Sequence, residues 1–371
     1  MKHSWKIARF SGIDIKIDSS WVVIFLLFTF SLSAFYFPQA FQLQNRSLYW
    51  LLGVMVSLLV FGSVLFHELA HSLVAQKQGE EVQDITLFIL GGVARISDEP
   101  KTPQKEFFMA LVGPVSSFFL AAFFLLISLL IASVSKPLQV AAAYLAYINA
   151  ILGGFNLLPG FPMDGGRVLR AIVWKATGDL RKATRVASSV GQAIAFFLIF
   201  MGVFQFFRGN LGGLWLVLIG WFLHNASVQG YSQVLLKSSL EGLKARDLMS
   251  GDFIVIDPEM SVETLVQELV LRKRERVFLV MSGEKLLGLV CLEDIKRFPR
   301  ERWPELRVSD IMTPADRIIS VTPDATGAQV LSHLAQADIN QVPVLQEGQV
   351  IGIICRNDLL KIMQLRAELG I

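Results

Sequence analysis

Two histidines four residues apart, with a glutamate beside the first, offer the clearest chemistry in this chain: His67-Glu68-Leu69-Ala70-His71. Residues i and i+4 share one face of a helix, so both imidazoles can point at a single ion. Glu68 then stands next to them, placed to take a proton from an attacking water, as zinc-dependent hydrolysis requires. A carboxylate able to complete such a site follows in Pro159-Gly160-Phe161-Pro162-Met163-Asp164-Gly165-Gly166-Arg167, where glycines follow Asp164 and permit a turn. His67, His71 and Asp164 with a water would fill one tetrahedral zinc site per chain, leaving Glu68 as the catalytic base. Other assignments exist. Asp164 could cap a helix starting near Gly166, and the histidine motif could be a buried polar cluster or a proton relay.

The elements that must hold these residues are membrane spans. The chain has 371 residues, 53% of them hydrophobic and 18% charged, with a mean hydropathy of +0.53. Soluble proteins carry about a quarter charged residues. The deficit falls in the first 236 residues, which read as a membrane domain; a linker (237–246) leads to a soluble α/β half. Six segments are long and apolar enough to cross a bilayer, at roughly 19–37, 48–76, 106–134, 138–157, 187–207 and 211–236. The first is a retained span and not a signal peptide, because the alternating stretch Lys6 to Asp18 before it reads as a strand or hairpin. The fourth breaks at Pro159 and Pro162, and broken backbone at membrane depth belongs where protein or water surrounds it.

Loop charges set the orientation. One set of loops carries Lys2, Lys6, Arg9, Lys16, Lys77, Arg95, Lys101, Lys105, Arg167, Arg170, Lys175, Arg181, Lys182 and Arg185; the other holds Arg46, Lys136 and Arg208. Both termini are therefore expected in the cytoplasm of a multi-pass protein, in a bacterial-type plasma membrane, and an even number of spans is required. The histidine motif then lies toward the cytoplasmic end of the second span, close to the depth of Asp164. A net charge of +3 points to no nucleic-acid partner. Cys291 and Cys355 have neither metal-ligand spacing nor a disulfide framework, which suits a reducing cytosol.

The pairing of motifs resembles the site-2 protease family of intramembrane zinc metalloproteases, whose members carry H-E-x-x-H in one span and an N-x-x-P-x-x-x-x-D-G-type motif in a later one. Asn156-Leu157-Leu158-Pro159-Gly160-Phe161-Pro162-Met163-Asp164-Gly165 is similar to the second motif. The resemblance implies that His67, His71 and Asp164 bind zinc and that Glu68 is the general base. It also implies that the stretch Val82 to Ile89, with Gly91, Gly92 and Val93 after it, lies beside the site and pairs with the substrate as an added strand; a plain hairpin is the alternative. Asn156 would bond the substrate backbone or the developing oxyanion, unless it packs helices. Gly113-Pro114 in the third span reads as a packing or kink position, and His224 as an inter-helix polar residue.

From about Ala245 the chain repeats itself. Asp247-Leu248-Met249 recurs as Asp310-Ile311-Met312, and Gly288 to Asp294 recurs as Gly352 to Asp358, at offsets of 63 and 64 residues. Each copy reads as a helix, two short strands and a closing helix, which places one unit at 247–300 and a second at 301–371. The units resemble tandem cystathionine-β-synthase (CBS) domains, which commonly bind AMP, ADP or ATP. That resemblance implies that Asp294 and Asp358 meet ribose hydroxyls. Cys291 and Cys355 stand where the family pattern has Ser or Thr, and a thiol donates poorly to phosphate. Homodimerisation or gating of substrate access are the alternative roles for the pair.

The expected architecture is thus a polytopic α-helical membrane domain of about six spans, with a small membrane-associated β-sheet and a cytoplasmic α/β CBS pair. Its expected activity is peptide-bond hydrolysis in the transmembrane segments of other proteins, within the lipid bilayer. The rival is a CBS-regulated channel or transporter whose ion path is lined by His67, Glu68, His71 and Asp164.

Overall fold

The computed structural model describes residues 4–369 apart from 43–45, 90, 97–99, 239, 241, 274, 284 and 338. The chain divides into two units, Met1–Ser232 and Gln233–Ile371. In the first unit the alternating N-terminal stretch is a hairpin of β1 (Ser4–Phe10) and β2 (Ile13–Asp18). Asp18 accepts the Ser20 N–H at 3.0 Å and so starts α1 (Ser19–Ser31). A π-helical turn, Leu32–Tyr36, carries α1 into α2 (Phe37–Ala40), and the three form one apolar stretch. α3 (Ser47–Lys77) has 31 residues, about 46 Å at 1.5 Å each, and so exceeds the ~30 Å hydrocarbon core. Its two histidines lie in the last third.

β3 (Val82–Phe88) and β4 (Gly91–Ile96) complete a sheet of order β1-β2-β3-β4, in which β2 and β3 are parallel and the other pairs antiparallel. Parallel neighbours need a long crossover. The helices from α1 to α3 supply it, and β1 and β4 remain as the edges. Ile13 and Ile85 bury one face of the sheet against Ala75 of α3 and Met109 of α4 (Pro103–Leu130). Then follow α5 (Lys136–Asn156), the non-helical turn containing Pro159 and Pro162, and α6 (Asp164–Thr177). Gly178, at φ 70°, ends α6 and lets the chain turn into α7 (Leu180–Phe207) and α8 (Gly212–Ser238).

Among the described residues, five helical stretches are long and apolar enough to cross a membrane: Ser19–Ala40, Ser47–Lys77, Pro103–Leu130, Lys136–Asn156 and Leu180–Phe207. The sixth expected span is helical, as α8, but it is not one of these five. Its second half carries His224, Asn225, Ser227, Gln229 and Ser232, which dilute the apolar first half. The helices turn large apolar side chains outward, such as Leu26, Phe119 and Phe197, each about 60% exposed, as a lipid solvent allows. Inside, hydroxyls and amides bridge them. Thr29 donates to Ser57 at 2.9 Å, Asn149 to Ser63 at 3.1 Å, and Ser188 and Ser227 bond each other.

The second unit holds the repeat. Its first copy is β5 (Ile254–Ile256), a helix running from α10 (Val262–Thr264) through Leu265–Leu271, β6 (Val277–Ser282), β7 (Lys285–Cys291) and α11 (Leu292–Ile295). Its second copy is α13 (Gly327–Gln336), β9 (Gln341–Gln346), β10 (Gln349–Cys355) and α14 (Arg356–Leu369). The Asp-apolar-Met segments form α9 (Ala245–Leu248) and α12 (Val308–Ile311), whose Asp247 and Asp310 accept the N–H groups of Lys244 and Arg307.

These segments cross over. Ser250 bridges to Ile353 of β10, whereas β8 (Thr313–Pro314), after α12, pairs with β7. Ala245 and Leu248 join the core of Val330, Leu334 and Ile354; Val308 and Ile311 join that of Phe278 and Val290. Each copy's core is closed by a segment that in sequence leads into the other copy's strands.

Candidate metal centre

α3 places His67 and His71 one turn apart, and the start of α6 brings Asp164 beneath them. Asp164 Oδ2 lies 3.1 Å from the Nε2 atom of each histidine, and the two Nε2 atoms are 3.2 Å apart. No other group of three His, Cys, Asp or Glu residues gathers in this way among the described residues. The outer nitrogens decide the chemistry. His71 Nδ1 donates to the Met109 carbonyl at 2.6 Å, and a carbonyl can only accept. In its neutral form the ring then turns a lone pair on Nε2 toward the cluster. His67 Nδ1 meets the Ser117 hydroxyl at 2.9 Å, which permits the same tautomer.

With both rings in that tautomer, two lone-pair nitrogens and a carboxylate oxygen converge on one point, an arrangement that a bound cation satisfies. Ligand atoms at 2.0–2.1 Å from a tetrahedral zinc stand about 3.3 Å apart, so the donor set suits zinc in both type and spacing.

One face of α4 backs the cluster. Met109, Gly113 and Ser117 follow at four-residue steps, contributing a carbonyl, a gap and a hydroxyl. The gap at Gly113 is specific. A Cβ there would stand 2.1 Å from His71 Nε2 and 2.8 Å from His67 Nε2. Gly113, expected as a packing or kink position, packs in a specific way: its missing side chain clears the space the imidazoles occupy. Met109 and Ser117 went unnoticed in the sequence. Their one signal was a small, polar stripe at helical spacing on an otherwise apolar span.

Glu68 lies on the other side, against β4. A Cβ on Gly92 would come within 2.6 Å of its Cγ, and the Ala94 N–H bonds its carboxylate. A cavity of about 330 Å³ opens over His67, Glu68, His71 and Asp164, with Gly92, Val93, Asn156 and Arg167 also in its wall. Gly91 is not in that wall; it opens β4 at φ +136°, a conformation side-chain-bearing residues rarely adopt. Leu90, just before it, lies outside the described residues. β4 pairs with β3 on one side and is an edge of its sheet, so its other side is unpaired within that sheet. His224 on α8 packs on Phe196, with ring centroids 5.0 Å apart, and is no part of the cluster.

Two small pockets among the described residues of the second unit bear on the expected nucleotide site. The first, about 200 Å³, is lined by Asp294, Cys291, Arg297 and Arg317 among others. The second, about 140 Å³, is lined by Arg276, Cys355, Arg356 and Asn357, and Asp358 is not in its wall. Asp294 is buried, and its carboxylate accepts both the N–H and the S–H of Cys291, at 3.0 and 2.9 Å. Burial, helped by that hydrogen bond, pushes the Cys291 thiol up to about 11; burial and the nearby Asp358 and Glu275 do the same for Cys355.

Comparisons with known proteins bear on the family of the chain. The profile of peptidase family M50 matches residues 55–143 and 131–199, and that of the CBS domain matches 245–301 and 308–365. A zinc metalloprotease of Methanocaldococcus jannaschii is 30% identical over 376 residues, covering 100% of this chain and 99% of the relative. A Synechocystis protein provisionally named a zinc metalloprotease is 33% identical over 375 residues, covering 99% of this chain and 97% of its own. The solved site-2 protease of M. jannaschii, 30% identical, aligns with 62% of this chain and 95% of its own at a TM-score of 0.44.

Proposed function

The chain belongs to peptidase family M50, the site-2 protease family of zinc metalloproteases, and from that premise we propose that it cleaves transmembrane segments of other membrane proteins inside the bilayer. The observation that carries this reading is the meeting of two imidazole Nε2 atoms and one carboxylate oxygen within 3.2 Å, beside Glu68 and an open cavity. His67, His71 and Asp164 hold the zinc. Zinc bound there supplies a Lewis acid that polarises the scissile carbonyl and acidifies a water. Glu68 takes a proton from the attacking water as the C–O bond forms, then returns it to the amine nitrogen as the C–N bond breaks. The Met109 carbonyl and Ser117 hold the imidazoles in register. Asn156, in the cavity wall, donates its amide to the substrate carbonyl or the oxyanion.

A helical substrate hides its peptide bonds in its own hydrogen bonding. The open edge of β4 can hold an unwound segment extended, with Gly92 and Val93 facing the cavity. Cytoplasmic termini remain our reading of the loop charges, and that reading requires α8 to cross the membrane as the sixth span. The CBS pair is the proposed site of control, by adenine nucleotide or through a homodimer. Support for nucleotide is thinner, since Asp294 already serves its own helix and Asp358 lies outside the pocket wall. The ion-path alternative loses its footing, because full-length relatives are named zinc metalloproteases. Glu68→Gln in the purified protein tests the core of the proposal. Zinc should remain bound at wild-type stoichiometry while cleavage of a transmembrane test peptide disappears; retained cleavage would refute the assignment of Glu68.

A further inference from the structure

We propose that Arg170, gripped by Glu106, is a positioning residue that fixes Asp164 against the two histidines; the inference rests on the zinc-ligand reading above. Neither residue lines the cavity, yet both are among the most deeply buried charges of the first unit. Glu106 is 0% exposed and Arg170 5%. The Arg170 Nε donates to Glu106 Oε1 at 2.6 Å, with a second, closer contact from its Nη2. Such a pair is expensive to bury and is a poor source of stability on its own, so its location deserves a functional account.

That location is the joint between α4, which backs the histidines, and α6, which carries Asp164. Glu106 opens the same face of α4 that continues through Met109, Gly113 and Ser117, the residues contacting His71 and His67. Arg170 lies on α6, whose first residue is Asp164, and Arg167 between them also approaches Glu106, at 3.9 Å. The pair therefore sets how α6 lies along α4, and with it how far Asp164 stands from the imidazoles. Arg170 acts on the ligand from a second direction. Its guanidinium sits 5.1 Å from the centroid of Phe161, which precedes Asp164 by three residues. Phe161 is itself fixed to α7, where its N–H bonds the Ala187 carbonyl at 3.1 Å and its backbone touches Gly191. Charge on one side and a ring face on the other hold the segment that delivers the carboxylate.

The test uses the full-length protein in detergent, with zinc affinity measured by competition against a chelating dye, alongside kcat, KM and thermal midpoint. Glu106→Gln and Arg170→Met singly should weaken zinc by roughly 10–100-fold, the usual range for partners behind a ligand, and lower their thermal midpoints. The double variant removes both charges, so its thermal midpoint should return toward wild type while zinc affinity and kcat stay low and KM is unchanged. Phe161→Leu keeps the ion pair and should weaken zinc by roughly 2–30-fold. Wild-type zinc affinity and kcat in the folded double variant would overturn the proposal and leave a merely structural pair. Zinc binding undisturbed by His67→Ala would sink the ligand reading beneath it, an outcome distinct from any result of the Glu106 or Arg170 variants.

Discussion

Replacing Gly113 by alanine puts a methyl group where the proposed ligands stand. Its Cβ would lie 2.1 Å from His71 Nε2, 2.5 Å from His71 Cε1 and 2.8 Å from His67 Nε2, whereas ordinary contact begins at 3.4 Å. The His71 ring must then retreat by about 1.3 Å, or α4 must back away by a similar distance. His71 has little freedom, since its Nδ1 bond to the Met109 carbonyl comes from the same helix that carries the new methyl group. A misplacement of about 1 Å at a reacting site costs about 10²-fold in rate, so cleavage should fall at least that far and zinc should bind more weakly. Local helix propensity works in the opposite direction, favouring alanine by about 1 kcal/mol, so the protein should still fold. Gly62→Ala on α3 is the control, because a Cβ there meets nothing within 4 Å. Zinc content by mass spectrometry, a peptide cleavage assay and thermal midpoints would be compared across the three proteins. Wild-type zinc content and cleavage in Gly113→Ala would show that the imidazoles do not occupy the place described.

Ser117→Ala should weaken zinc about 10–100-fold by freeing His67 Nδ1, with cleavage recovering as zinc is added; an unchanged zinc dependence of cleavage would rule out the hydroxyl as an anchor. Cys291 and Cys355, held near 11, should stay thiols at neutral pH and alkylate slowly, with a rate rising about tenfold per pH unit toward 11, which a mass-resolved labelling series would follow. Because the folded state keeps these protons after an unfolded thiol with its ordinary value near 8.5 has lost them, stability of the second unit should decline between about pH 9 and 11, readable as a falling thermal midpoint.

What could be read from the chain followed from spacing. His67, Glu68 and His71 share a helical turn, so their juxtaposition needs no knowledge of packing. Asp164 was legible because Pro159 and Pro162 interrupt a span where a carboxylate follows. The repeat announced its two copies directly. Contacts that depend on how one helix is rotated against another were not legible. Met109 reaches His71 through its backbone, which no side chain advertises, and Gly113 acts through an absent atom. The exchange of α9 and α12 between the repeat cores was hidden for a related reason: neighbours in sequence are separated, and the partner 60-odd residues away supplies the packing. Asp294 matches a ligand-type pattern, yet the same three-residue spacing that makes it one lets it cap its own helix.

The two imidazoles differ in how heredity can reach them. His67 leans on a hydroxyl that a single nucleotide change can delete. His71 leans on a main-chain carbonyl that every amino acid at position 109 would still provide. Random mutagenesis scored for lost cleavage should therefore return substitutions at Ser117 for loss of the hydroxyl itself. At position 109 it should return only those that disturb the buried packing around Met109, with apolar replacements of similar size passing unseen. Of the two hydrogen bonds that anchor the imidazoles, one rests on a side chain that substitution can remove and the other on the main chain, which it cannot.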